Sequence, residues 1–325
     1  MKKFLGLATA VVGATLASSA WAQSAFPGKP VTLVVPFSAG GPTDLVGRGV
    51  AQGMTKALGQ SVVVENTAGA GGTIAANRVK NAPADGYTLL VHHIGMSTAP
   101  ALYRKLAFNP ATDFEPVAMV VDTPMTLIAR PDFPAKDVSE LIAYVKANKA
   151  KLNLANAGIG SASHLCGLLF QNALQTDVTT VPFKGTADAL NALIGKQVDL
   201  LCDQSTNTTQ HINAGTVKAY GVTSKTRLPT LPNLPTLDEA GLKGFQVGVW
   251  NGVYAPKGTP KAVIDKLSAA VQQALKDPDF RKRMADLGST VFAQEQSTPA
   301  ALAAQLKSEI ARWTPVIQAA GIYAD

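Results

Sequence analysis

The sequence predicts an α/β protein, a mostly parallel sheet with helices on both faces, built as two domains. Three observations carry that expectation. The stretch 31–45, VTLVVPFSAGGPTDL, reads as a buried strand, a loop of small residues and a helix start, and the same unit recurs at 61–73 and 151–163. From 151 to 222, short β-branched runs alternate with helical segments, the pattern of βαβ units. A chain of 325 residues, even without a leader, exceeds one comfortable core.

Residues 1–22 read as a signal peptide. Lys2 and Lys3 form a positive start, 4–17 is mostly apolar, and Ala20, Trp21 and Ala22 fit a small-x-small cleavage site. No twin arginine precedes the apolar run, which favours the general secretory route. The run is short for a bilayer span, and no later stretch is long enough. The expected mature protein is therefore soluble and exported to a bacterial periplasm.

Along the chain, 31–35 is β-branched and apolar, as a strand covered on both faces should be. Pro36 stops the ladder for want of an N–H. Ser38, Ala39, Gly40 and Gly41 are small enough to let another molecule reach the backbone. Pro42, Thr43 and Asp44 then open a helix whose free N–H groups suit an anion. A strand at 61–65 leads through Asn66–Gly72 to a helix from Thr73. A strand at 87–91 ends at His92 and His93. If it continues, these histidines point to opposite faces, and no carboxylate or cysteine sits at ligand spacing, so no metal is expected.

The long apolar stretch 117–129, interrupted by Pro124, reads as a crossover between domains. A helix at 138–147 precedes the third unit, a strand at 151–156 and the loop 157–163. Then follow a strand at 178–181, a helix at 186–195, a strand at 198–201 running into Cys202 and Asp203, a helix near 208–214, and a strand at 217–222. Residues 229–235 are a proline-punctuated loop, and 245–252 is the return crossing. Helices at 263–275, 280–287 and 300–313 pack around the first domain. The expected division is 26–124 plus 252–325 for domain 1 and 125–251 for domain 2.

Any one of the three small-residue loops reads equally well as an ordinary βα turn. Three of them, without a Walker lysine, point to a shared small-anion cup. Without Lys2 and Lys3, 27 basic residues face 22 acidic ones, a net charge of +5. The basic residues are dispersed, with no aromatic-interleaved stripe for nucleic acid. No G-x-S-x-G, H-E-x-x-H, C-x-x-C or P-loop lysine motif occurs. The glycines at 69–72 end too early for a dinucleotide fingerprint. Enzyme chemistry thus has no positive argument, and no cofactor is expected. Cys166 and Cys202 lie one βαβ unit apart; in an oxidising compartment they form a disulfide, or else remain two buried thiols.

The leader followed by PVTLVVPFSAGGPTDLVGR, VVVENTAGAGGTIAANRV, ADGYTLL, LNLANAGIGSASHL, VPFKGTADALNALIGKQVDLLCD and NGVYAPKGTP resembles the Bug family, periplasmic solute receptors of tripartite tricarboxylate transporters. The resemblance spans essentially the whole mature chain. It implies a type II periplasmic binding protein fold, with two doubly wound lobes joined by crossover strands and a ligand cleft between them. It also implies a small carboxylate ligand (dicarboxylate, aromatic carboxylate or acidic amino acid), a membrane permease of two subunits as partner, and a monomer. Carried onto this chain, the ligand-binding residues are Phe37, Ser38, Ala39, Gly40 and Thr43 in the first loop and Ala70, Gly71 and Gly72 in the second. Gly160, Ser161 and Ser163 belong to the third, with Lys184, Gly185 and Asp203 at the rear. Asp203 would hold a ligand ammonium or a water, or else order the hinge. His92, Ser97 and His164 would suit a ring-bearing dicarboxylate. The competing functions are a periplasmic enzyme acting on a small carboxylate and a receptor serving a signalling partner.

Overall fold

The computed structural model describes residues 26–321, 323 and 324; the leader expected at 1–22 lies outside them. The chain opens with β1 (Val31–Val35), α1 (Pro42–Leu58), β2 (Val62–Asn66), α2 (Thr73–Lys80), β3 (Thr88–His93) and α3 (Gly95–Leu102). The long β4 (Phe114–Ala129) follows, then α4 (Val138–Asn148), β5 (Asn153–Asn156), α5 (Ala162–Leu174), β6 (Thr179–Pro182) and α6 (Thr186–Ile194). Next come β7 (Leu200–Gln204), α7 (Ser205–Asn213), β8 (Lys218–Val222) and β9 (Gly248–Pro256). The chain closes with α8 (Lys261–Lys276), α9 (Pro278–Asp286), β10 (Thr290–Val291) and α10 (Pro299–Ala319).

The strand order is β2-β1-β3-β9-β4-β7-β5-β6. The β2-β1-β3 and β7-β5-β6 groups are parallel within themselves, as the βαβ reading requires. They are joined by antiparallel strands. The first part of β4 pairs with β9 and β10, and the second part, from Met125, with β7 and β8. Pro124 sits at that exchange, where Thr123 still pairs with Val249 and Met125 already pairs with Gln204. Its missing N–H therefore falls where the ladder changes partner, so proline is tolerated inside a strand.

Two helical layers flank the first group of strands. Leu33 and Val35 pack with Val50 of α1 and Leu267 of α8, while Val34 and Leu90 share the opposite core with Leu102 and Leu302. The α1–α8 contact is close because Gly53 has no side chain: a Cβ there would come within 2.6 Å of the Ala274 Cα. In the second group, Cys166 of α5 and Cys202 of β7 are joined by a disulfide with Cα atoms 6.0 Å apart. The bond pins a helix to the sheet it covers. Among the described residues no helix is long and apolar enough to cross a membrane.

Two elements escape a reading by periodicity. The sequence of α3, GMSTAPAL, contains glycine, threonine and an internal proline, and its propensity is poor. Its almost complete burial shows that tertiary packing, largely against α10, holds it helical. β10 is two residues long and exists only through its pairing with Val121 and Asp122. α10 also runs on through Pro315 to Ala319.

Candidate ligand-binding site

The small-residue loops at the strand ends are held by buried polar groups. In the first, the Asp44 carboxylate accepts the Gly40 N–H at 2.9 Å, Arg48 Nε at 2.8 Å and Asn66 Nδ2 at 2.9 Å. Burial opposes its ionisation, but the hydrogen bonds from Arg48, Gly40 and Asn66 outweigh that and hold its pKa below the usual carboxylate value. The loop is therefore fixed from inside, and the first turn of α1, Pro42 to Asp44, is buried beside it. In the third, Ser161 caps α5 by accepting the His164 N–H at 3.2 Å, and Ser163 Oγ accepts the Ala157 N–H at 2.8 Å. Asn156 Oδ1 accepts the Gly158 N–H at 2.9 Å. The Gly160 N–H donates to His164 Nδ1 at 3.2 Å, and burial lowers the pKa of that ring to about 4, so it is neutral.

The starts of α1, α5 and α6 converge on one small cavity. Pro42 and Thr43 line it from the first half of the fold, together with Phe37 and His93. Ser161, Ser163 and Thr186 line it from the second, with Gln204 at the end of β7. It leaves about 10 Å³ for the centre of a water molecule, roughly what one water needs. No lysine or arginine lines it. Among the described residues, the first-turn N–H groups of Thr43, Ser163 and Thr186 have no protein partner. Helix N-termini of this kind attract negative charge without a formal cation. Larger hollows occur elsewhere, including one of about 670 Å³ beside α10, which is lined by the acidic side chains of Asp122, Glu295 and Glu309.

The two halves touch along a seam around this cavity. Ser38 Oγ donates to Asp188 Oδ2 at 2.9 Å, Tyr103 Oη donates to the Ile159 carbonyl at 2.7 Å, and Thr98 Oγ1 donates to the Gly160 carbonyl at 3.2 Å. Gly71, with φ +60°, lies so close to the Ile159 carbonyl that a Cβ would collide with it.

The expected residues therefore fall into three groups. Phe37, Thr43, Ser161 and Ser163 line the cavity. Ser38, Gly71, Gly160 and Gly185 form the seam, with Gly185 packed on the Ser38 side chain. Ala70 and Gly72 stand behind Gly71, the first with its carbonyl oxygen 2.8 Å from Tyr103 Oη and the second resting on the His92 ring. Ala39, Gly40 and Lys184 are exposed. Asp203 is buried behind Gln204, where it accepts the Gln204 N–H at 2.7 Å and Asn207 Nδ2 at 2.6 Å. Burial pushes its pKa up to about 7, against those hydrogen bonds.

Sequence reasoning passed over His93, Thr186 and Gln204. Thr186 follows a fourth strand–loop–helix unit, overlooked because Phe183 and Lys184 interrupt its small residues. His93 was weighed only as a metal ligand. Gln204 carries no local signal at all.

Residues 46–322 match the family described as the tripartite tricarboxylate transporter family receptor. An Agrobacterium vitis UPF0065 protein, from the ttuE-ttuC′ intergenic region, is 48% identical over 302 residues, 93% of this chain and 87% of its own length. The structure of the periplasmic binding protein BugD superposes with a TM-score of 0.90 at 54% identity, covering 92% of this chain and 99% of that one. MatC from Rhodopseudomonas palustris, solved with bound malate, gives 0.88 at 48% identity over 90% and 100% of the two chains. A further R. palustris protein, solved with adipate, gives 0.86 at 34% identity over 92% and 99%. This chain shares their periplasmic-binding fold. The family match spans most of the sequence and the neighbours align nearly end to end: the protein belongs to the solute receptors of the tripartite tricarboxylate transporter family, the Bug receptors.

Proposed function

We propose that this receptor captures a small carboxylated organic anion in the periplasm and delivers it, chemically unchanged, to a two-subunit membrane permease. The observation that supports this most directly is the meeting of three helix N-termini from both lobes in a cavity without a cationic side chain. Each terminus contributes about 0.3–2 kcal/mol toward an anion. Micromolar affinity needs about 8 kcal/mol. Charge-assisted hydrogen bonds from the Thr43 hydroxyl and from one of Ser161 and Ser163, whose oxygens are hydrogen-bonded to each other at 3.0 Å, supply much of the remainder at about 1.5–3 kcal/mol each. The neighbours solved with malate and adipate are consistent with a carboxylate ligand.

Capture requires movement. With room for about one water, the closed cleft does not admit an organic acid. In this reading the domains 26–124 plus 252–325 and 125–251 part by bending where β4 changes partners, between Thr123 and Met125. A thermal-shift panel of aliphatic, aromatic and amino-acid carboxylates tests the proposal. At a hundredfold excess over Kd the right ligand stabilises by about 2.7 kcal/mol, several degrees in melting temperature. A broad panel that moves the transition nowhere counts against the reading.

A further inference from the structure

Two hydroxyls at α3 face the loop that leads into α5 from the opposite lobe. Tyr103, the residue that ends α3, has its Oη 2.7 Å from the Ile159 carbonyl oxygen across the seam. The same atom is 2.8 Å from the Ala70 carbonyl oxygen of its own lobe. A phenol has one proton, so it donates to one of the two at a time. Thr98, fully buried in α3, repeats the arrangement. Its Oγ1 lies 3.2 Å from the Gly160 carbonyl oxygen of the other lobe and 3.3 Å from that of Gly95, one turn back in its own helix. Adjacent carbonyls of the second lobe thus each meet a hydroxyl that has another acceptor at home.

The acceptors on the two sides are not equivalent. The Ala70 carbonyl also receives the Thr73 N–H and, at 2.9 Å, the Thr73 hydroxyl, so it stays paired when Tyr103 turns away. Among the described residues, Tyr103 is the donor to the Ile159 carbonyl and Thr98 the donor to that of Gly160, and no backbone N–H reaches either. With the lobes together, these two carbonyls depend on the hydroxyls of α3; with the lobes apart, water serves them. Glycine permits the approach. A Cβ on Gly71 would collide with the Ile159 carbonyl, and one on Gly160, where φ is +87°, would come within 3.1 Å of the Tyr103 ring. The loop continues directly into Ser161 and Ser163, which line the cavity, whereas neither Thr98 nor Tyr103 does.

We propose that Thr98 and Tyr103 are the positioning residues of closure: each turns its O–H from a carbonyl of the first lobe to one of the second as the cleft shuts, and back again as it opens. The inference rests on the receptor reading above and adds what governs release. Each hydroxyl finds an acceptor in both forms, so neither form strands a buried donor and the lobes part at little cost in hydrogen bonds. The Ile159 and Gly160 carbonyls, however, are paired by protein in the closed form alone. Removing a hydroxyl therefore weakens the closed form selectively. The ligand then escapes sooner, while its encounter with the open cleft is untouched. Because neither side chain lines the cavity, the effect is the same for every ligand the receptor holds.

Stopped-flow tryptophan fluorescence of the full mature protein with L-malate, adipate and L-aspartate as probes tests this. Tyr103→Phe, which keeps the ring, and Thr98→Val, of the same shape, should each raise the dissociation rate by about two- to tenfold. The association rate should stay within about twofold of the wild type, and the factor should be the same for every probe that binds. Thr98→Ser, which keeps the hydroxyl, should restore the wild-type dissociation rate. An unchanged dissociation rate in either folded variant overturns the proposal. So does a loss carried by the association rate, or a factor that differs from one acid to the next. Wild-type protein that binds none of these acids, nor any other of a broad carboxylate panel, sinks the proposed function itself, and this closure with it.

Discussion

The Ser38 hydroxyl donates to the Asp188 carboxylate at 2.9 Å across 150 positions of sequence, tying the first small-residue loop to the helix that follows the fourth. This is a latch between lobes, made beside the ligand cavity rather than in it. Exposed hydrogen bonds of this kind are worth about 0.5–1.5 kcal/mol net. Ser38→Ala should therefore favour the open form and weaken ligand affinity by about two- to tenfold. Small-angle scattering without ligand should show a larger radius of gyration for the variant, and an unchanged radius would mean that the latch does not hold the lobes.

The Cys166–Cys202 bond closes a segment 36 residues apart in sequence. Cross-links of that span typically add about 2–4 kcal/mol, mainly by restricting the unfolded chain. The double variant Cys166→Ser, Cys202→Ser should lose about that much in urea unfolding. The wild-type protein should show a similar loss under a reductant strong enough to open the bond.

Asp203 gives a pH signature. Its folded pKa is raised from 3.8 to about 7 by burial. A raised carboxyl pKa means that the folded state binds the proton more tightly than the unfolded state. The stabilisation is complete below 3.8 and is lost as pH rises through about 7. The buried histidines act oppositely: His92 and His164, lowered from 6.5 to about 4 by burial, remove stability as pH falls through that interval. The Asp203 contribution is therefore isolated by comparing the wild type with Asp203→Asn. The difference in unfolding free energy should drift in favour of the variant between pH 4 and 8, and parallel pH profiles would show that Asp203 does not titrate in this range.

Gly53 tests the close approach of α1 and α8. Helix propensity alone favours alanine there by about 0.8–1.0 kcal/mol. A Cβ, however, would come within 2.6 Å of the Ala274 Cα, and overpacking of this sort costs about 1–3 kcal/mol. Gly53→Ala should lower stability by about 1 kcal/mol in chemical denaturation. A more stable variant would show that the helices shift apart at little cost.

The sequence by itself determined the strand–loop–helix units. Val31–Val35 with Pro36, the small residues after it and Pro42 at the helix start are local signals, set by side-chain shape and backbone freedom within a few residues. It also determined that Ser161 and Ser163 would stand at a helix N-terminus, because capping is a local matter. The tertiary structure decided which termini meet. The Ala70–Gly72 loop reaches the seam but not the cavity, while Thr186 takes its place, and His93 and Gln204 face one space from opposite lobes. Those positions depend on strand order and on where β4 passes from one set of partners to the other. Pairings of that kind join residues far apart in the chain, so no window of sequence contains them, and they are fixed only when the two cores and the seam form together.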